Sequence, residues 1–156
     1  MKLVGVLSAV SAASSLGLLE PNYTSPAGVE VYNPSILFTP TGPWSLMSKA
    51  GNTLHVSGMR GIYPSNGTLA PVGIERIRQA YANMIQLAEL AGSDRFSAVR
   101  LVVYTTDMYR YRPLCNRAQT ELWGEEPNRH PPRSIIEVQR LNDDDIVEVE
   151  GTFLVP

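Results

Sequence analysis

An arginine at the start of one strand and a glutamate on the next strand are the residues of this chain best suited to chemistry. Arg133 follows Pro131 and Pro132 and begins an apolar run that continues to Val138. Its planar guanidinium can bind a substrate carboxylate through two parallel hydrogen bonds. Glu148 lies on the following strand, where a carboxylate could orient a water molecule or transfer a proton. The same residues could also form an ordinary structural ion pair, so the pattern alone leaves both interpretations open.

The other reactive side chains lack the neighbours that a catalytic or metal site requires. Cys115 is the only cysteine, which excludes an internal disulfide and a cysteine-based metal cluster. The two histidines, His55 and His130, are too few and too scattered for a metal site. Ser57 has no base to activate it and is interpreted as a hydrogen-bond donor. The sequence therefore predicts neither a metal nor a cofactor.

Length and charge favour a single compact domain. The 156 residues can bury one substantial core but are too few for two comfortable domains. Charged residues make up 18% of the chain and the formal net charge is −2, which does not favour a nucleic-acid-binding surface. No stretch is apolar enough to span a membrane. We expect neither a nucleic acid nor a membrane as a partner.

The order of predicted elements is that of an α+β domain. The predicted strands cover 44–49, 53–56, 98–104, 134–140 and 146–154. One helix is predicted over 74–91, and a second runs from a Thr106-Asp107 cap to about Trp123. This order predicts a layer of helices on one face of a sheet.

The first forty residues differ in character from the rest. Met1-Lys2 precedes a short apolar run and then small residues up to Ser15, a pattern typical of a secretory signal peptide over residues 1–17. The alternative is an uncleaved N-terminal arm, such as an extra strand. Residues 18–41 are proline-rich and predicted to be an irregular extension before a domain over 42–156. A cleaved signal would make the protein secreted, and otherwise we expect it in the cytoplasm.

Six separated segments share the order and spacing of one known protein family. They are Gly42-Pro43-Trp44-Ser45, Leu54-His55-Val56-Ser57-Gly58, Ala88-Glu89-Leu90-Ala91-Gly92-Ser93, Val102-Val103-Tyr104-Thr105-Thr106-Asp107-Met108, Pro131-Pro132-Arg133-Ser134 and Ile146-Val147-Glu148-Val149-Glu150. Together they resemble the YjgF/Rid family of enamine/imine deaminases. The resemblance implies a chorismate-mutase-like Rid fold, with a mixed sheet and two helices on one face. It also implies a homotrimer, in which the sheets form a central barrel with a ligand cleft at each subunit interface.

The resemblance further implies a site and a reaction. Arg133 would hold the carboxylate of a 2-imino or 2-enamino acid, and Glu148 would position the attacking water. The positions that match the rest of the family's pocket are Trp44, Ser57, Gly58, Asn116 and Ile135. The implied reaction is hydrolytic deamination, which releases ammonia and a 2-keto acid and requires orientation and charge stabilisation rather than a cofactor.

Three positions depart from the family pattern. Trp44 replaces a tyrosine, and Ile135 replaces a small residue or cysteine, so we expect a pocket of altered shape. Arg60 lies in Met59-Arg60-Gly61, where Gln-Ile/Val-Pro is usual. We predict that Arg60 points into solvent, because arginines at strand ends are usually exposed.

Other functions stay open at this point. A tailoring enzyme could use the same cleft on a larger carbonyl or imine intermediate of a biosynthetic pathway. A non-catalytic protein could bind a small ligand there, although a pure binder needs Arg133 but not Glu148. Ribonuclease activity, which is reported for relatives, is least favoured. The net negative charge of the chain does not favour a continuous basic surface that could bind a phosphate backbone.

Overall fold

The computed structural model describes residues 19–156, so the predicted signal segment lies outside the described residues. The elements are β1 (Tyr23–Thr24), β2 (Glu30–Tyr32), β3 (Met47–Ala50), β4 (Thr53–Met59), α1 (Ile74–Leu90), β5 (Ala98–Thr105), α2 (Met108–Trp123), β6 (Arg133–Glu137) and β7 (Val147–Leu154). Both predicted helices and all five predicted strands are present, with ends displaced by up to three residues. None of the helices within the described range is long and apolar enough to cross a membrane.

The seven strands form one mixed sheet in the order β1-β2-β3-β4-β7-β5-β6. Only β5 and β6 are parallel among neighbouring strands, and the other pairs are antiparallel. Helix α1 packs on β4 and β7, α2 packs on β5 and β6, and the helices contact each other. Both helices therefore cover the same face of the sheet, which confirms the predicted α+β fold. No helix of the described residues covers the opposite face, which is called the open face below.

Local sequence explains where the helices begin and end. The Asp107 side chain accepts a hydrogen bond from Arg110 N at 2.9 Å, which caps the start of α2 as predicted. Helix α1 buries an apolar stripe that includes Ile77, Tyr81 and Met84. The chain leaves α1 through Gly92, whose φ of 83° is a left-handed conformation that glycine adopts without strain.

The N-terminal extension differs from the irregular structure predicted for it. β1 and β2 form a small antiparallel ladder that joins the sheet through the pairing of Val31 with Ser48. Asn33 fixes this attachment, because its Oδ1 accepts a hydrogen bond from Leu46 N at 2.8 Å. Strands of two and three residues are too short to show an alternating pattern, which is why proline content dominated the prediction.

Candidate active site

Four of the predicted site residues line one cavity at the end of the open face. Trp44, Ser57, Gly58 and Glu148 surround a space of about 480 Å³. Its remaining walls include apolar and charged side chains from three loops and the end of β4, among them Phe38, Arg60, Ile62, Asn142 and Asp143. The family positions on β4, on β7 and in the loop before β3 thus converge on a common space.

A bulge in β4 brings Glu148 against the backbone of Gly58. The pairing of β4 with β7 shifts register between Val56 and Met59. The Glu148 carboxylate lies so close to Gly58 that a Cβ atom there would collide with it. Ser57 is tied to the scaffold, because its Oγ donates to Leu46 O at 3.0 Å. Glycine is therefore required at position 58 for the close approach of the Glu148 carboxylate. The Ser57 hydroxyl donates its hydrogen bond to the backbone.

Glu148 has the environment of an accessible base. Burial raises the pKa of its carboxyl, the nearby Arg60 guanidinium opposes that rise, and the carboxylates of Glu150 and Asp145 add to it. Within residues 19–156 no group donates a hydrogen bond to the Glu148 carboxylate. Both oxygens are consequently available to a water molecule or a ligand in the cavity.

The prediction that Arg60 points into solvent is wrong. Its side chain is only 12% exposed, and its Nε donates to Asp145 Oδ2 at 3.0 Å while Nη1 donates to Asp143 Oδ2 at 2.9 Å. Asp145 is fully buried and also accepts a hydrogen bond from Arg76 Nη1 at 2.6 Å. A Cβ at Gly61 would collide with Arg76, so the glycine admits this second arginine. The aspartates lie more than eighty residues away in sequence, and no local pattern could reveal the pairing.

The other three predicted site residues lie where helix α2 packs on β6. Arg133 Nη2 donates to Asn116 Oδ1 at 2.7 Å, and Nη1 donates to Gln119 Oε1 at 3.0 Å. Ile135 lies two residues further along β6 on the same face and packs against the core. Among the described residues no carboxylate lies within ion-pair distance of Arg133. Neutral amides hold the arginine, which leaves its positive charge uncompensated.

Gln119 and Tyr81 are part of this arrangement and were missed from the sequence. Gln119 is 6% exposed, and its Oε1 also accepts a hydrogen bond from the buried Tyr81 hydroxyl at 3.4 Å. The spacing of Gln119 from Asn116, three residues along a helix, was the available signal. Cys115 is buried beside this group, and burial raises the pKa of its thiol to about 11, so the thiol is protonated at neutral pH.

The two groups of residues lie on opposite faces of the sheet. Arg133 pairs with Leu101 of β5, whereas Glu148 pairs with Tyr104 of the same strand. Positions an odd number of residues apart point to opposite faces. Two strand spacings and three residues along the strand separate the Cα atoms of Arg133 and Glu148 by about 14 Å. A small substrate cannot contact both side chains of one chain.

Comparison with known proteins places this fold in a family. The family model described as Endoribonuclease L-PSP matches residues 36–155. The chain belongs to this family, which is also called YjgF/Rid. A RutC family protein of Pyrococcus horikoshii is 33% identical over 113 residues, which cover 72% of this chain and 86% of that protein. The mouse protein named 2-iminobutanoate/2-iminopropanoate deaminase is 30% identical over 70% of this chain and 79% of its own length.

Solved structures show the same fold as this Rid-family chain. A Rhodopseudomonas palustris protein described as a probable translation initiation inhibitor superposes with a TM-score of 0.77 at 36% identity, covering 83% of this chain and 99% of the other. The YjgF gene product of Escherichia coli superposes with a TM-score of 0.73 at 24% identity, covering 80% and 98%. The family match begins at residue 36, slightly before the predicted domain boundary at 42.

Proposed function

We propose that this Rid-family protein is a hydrolytic deaminase of 2-imino and 2-enamino acids. The observation that carries the proposal is the uncompensated charge of Arg133, held in place by Asn116 and Gln119. A guanidinium fixed by neutral acceptors is prepared for a substrate carboxylate. The name of the mouse relative, a 2-iminobutanoate/2-iminopropanoate deaminase, supports the same substrate class.

The complete site requires two copies of the chain. We assign Arg133, Asn116 and Ile135 of one copy and Trp44, Ser57, Gly58 and Glu148 of its neighbour to one cleft of a homotrimer. Support comes from the positions of Arg133 and Glu148 on opposite faces within one chain. The open face also presents Ser48, His55, Arg100 and Glu150 around a depression of about 410 Å³, a surface that a neighbouring copy would cover.

The proposed reaction uses only these side chains and water. Arg133 binds the carboxylate of the imino acid, and Glu148 accepts a proton as the water oxygen attacks the imine carbon. Glu148 returns that proton to the imine nitrogen, which gives a neutral carbinolamine. Glu148 then takes the hydroxyl proton and passes it to the amino group as the carbon–nitrogen bond breaks, so the carbonyl forms and ammonia leaves. The product is a 2-keto acid, and Glu148 is again ionised. An enamine substrate first tautomerises to the imine, because its carbon takes a proton and its nitrogen gives one up.

The direct test is the release of 2-oxobutanoate from freshly generated 2-iminobutanoate. We expect the protein to increase the rate clearly above that in buffer. A folded protein that does not exceed the buffer rate would contradict the proposal.

The apolar wall of Phe38, Trp44 and Ile62 favours, as a second candidate, a tailoring enzyme for bulkier imines or carbonyl compounds. Imino acids with aromatic side chains should therefore be assayed in parallel.

Gln119→Leu is expected to weaken substrate binding more than the chemical step. The change removes one of the two amide oxygens that orient Arg133. Loss of one hydrogen bond to a charged group corresponds to about a tenfold increase in KM, with a smaller change in kcat. Initial rates over a range of 2-iminobutanoate concentrations would measure both constants. An unchanged KM in a folded Gln119→Leu protein would show that Gln119 does not position Arg133.

Glu148→Gln is expected to stabilise the fold at neutral pH while removing activity. Burial raises the folded-state pKa of Glu148 above its ordinary value of 4.5, so ionisation is less favourable in the folded chain than in the unfolded one. The ionised carboxylate therefore lowers the free energy of unfolding. This loss of stability is complete at pH 7 and disappears below about pH 4, where Glu148 is protonated in both the folded and the unfolded chain. Thermal unfolding should therefore show a higher Tm for the variant at pH 7 but not at low pH. The exposed Glu89→Gln change serves as a control and should alter neither value.

A further inference from the structure

We propose that Arg60 is a positioning residue for Glu148. Two aspartates fix the guanidinium of Arg60, and its charge keeps the Glu148 carboxylate ionised and directed into the cavity. The inference rests on the proposed function, because Glu148 is the residue assigned there to activate water. It concerns a side chain that departs from the family pattern, in which an apolar residue is usual at this position.

The sheet register places Arg60 opposite Glu148. Met59 of β4 pairs with Val149 of β7 in the last pair of this antiparallel ladder, so extending the register by one residue brings Arg60, just after the end of β4, level with Glu148. Side chains at directly opposed positions lie on the same face, with Cβ atoms about 5 Å apart. Both residues line the same cavity. The arginine is thus the cross-strand neighbour of the proposed base.

The two aspartates hold the Arg60 fork and leave one end of it free. Nε and Nη1 donate to Asp145 and Asp143, respectively. Nη2 has no partner among residues 19–156, and it is not a buried unsatisfied atom. A guanidinium with two nitrogens fixed has little rotational freedom left, so its charge has a defined position relative to the cavity.

The other charged groups around Glu148 are carboxylates, which oppose the effect of Arg60. Glu150 on the same strand and Asp145 in the preceding turn are carboxylates, and both favour the protonated form of Glu148. Tyr104 pairs with Glu148 from β5. Among residues 19–156, Arg60 is the one cation that favours the ionised form of Glu148. Without it, burial and two carboxylates would act together to raise the pKa of Glu148.

Direct titration of Glu148 tests this role independently of catalysis. Protein labelled with ¹³C at the glutamate carboxyl gives a signal for Glu148, assigned by its absence in Glu148→Gln. In Arg60→Met we expect the titration midpoint of Glu148 to rise by about one unit, whereas Arg60→Lys should stay close to the native midpoint. Asp143→Asn keeps an amide oxygen that can accept from Arg60 Nη1 and leaves the Asp145 contact intact, so the guanidinium stays in place. Because the variant removes only a negative charge, it should lower the midpoint. Asp143 is 74% exposed in its side chain, and asparagine tolerates its φ of 56°, so this variant should fold.

Opposite shifts of the Glu148 titration midpoint in Arg60→Met and Asp143→Asn would distinguish an electrostatic role of Arg60 from a loss of structure. A purely structural Arg60 would lower Tm and activity at every pH without moving the midpoint, and that result would overturn the inference. If the native protein is an active deaminase, the acidic limb of kcat/KM should move with the midpoint in Arg60→Met. A native protein that shifts its midpoints as expected but lacks deaminase activity would instead refute the proposed function, and with it the catalytic part of the role of Arg60.

Discussion

Arg133→Ala is expected to reduce kcat/KM for 2-iminobutanoate by about 100- to 1000-fold. Truncating one partner of a buried, hydrogen-bonded charge pair costs several kcal/mol, much of it because the other charge is left unpaired. Here the unpaired group would be the substrate carboxylate, and Asn116 and Gln119, as neutral amides, cannot replace the lost charge. Initial rates of 2-oxobutanoate release for native and variant proteins measure the effect.

Two further substitutions make this result specific to the guanidinium. Arg133→Lys retains the charge but not the planar fork, so we expect an intermediate loss of about tenfold. Arg117→Ala removes an exposed arginine of helix α2 that is paired with Glu121 at 3.0 Å, and the rate of this variant should remain near the native value. A folded Arg133→Ala protein with activity within threefold of native would contradict the role of Arg133 as carboxylate anchor.

The fold was predictable from sequence where a long periodic pattern coincides with a capping residue. The stripe that includes Ile77, Tyr81 and Met84 identified α1, and Asp107 identified the start of α2. β1 and β2 lack such a pattern, because pairing with β3 rather than their own composition makes them strands. Local propensity therefore sufficed for the helices but not for the edge of the sheet.

The candidate site was predictable as a set of residues but not as an arrangement. The resemblance named Arg133 and Glu148, yet only the register with Leu101 and Tyr104 of β5 shows that they face opposite sides of the sheet. Likewise, the environment of Arg60 depends on a turn far away in sequence. Side-chain direction in a sheet alternates with every residue, so a small uncertainty in register is enough to hide such a relationship.

Two inactive variants are expected to restore activity when they assemble into the same oligomer. If each cleft takes Arg133 from one chain and Glu148 from its neighbour, an Arg133→Ala chain still supplies Glu148 and a Glu148→Gln chain still supplies Arg133. In a cyclic trimer that contains both kinds of chain, one cleft of the three, or about a third, combines both native residues. Co-expression with two different tags, followed by two-step purification and the 2-oxobutanoate assay, would measure the recovered rate.

The controls decide whether recovery arises from shared clefts. Mixing Arg133→Ala with the double variant Arg133→Ala, Glu148→Gln should restore nothing, because no chain then carries the arginine. Combining the two single variants after separate assembly, without subunit exchange, should also leave the rate at the level of either variant. An inactive mixed oligomer of verified composition would mean that the two residues do not act in one shared cleft. The separation of about 14 Å between Arg133 and Glu148 on opposite faces of one chain leads us to expect recovery.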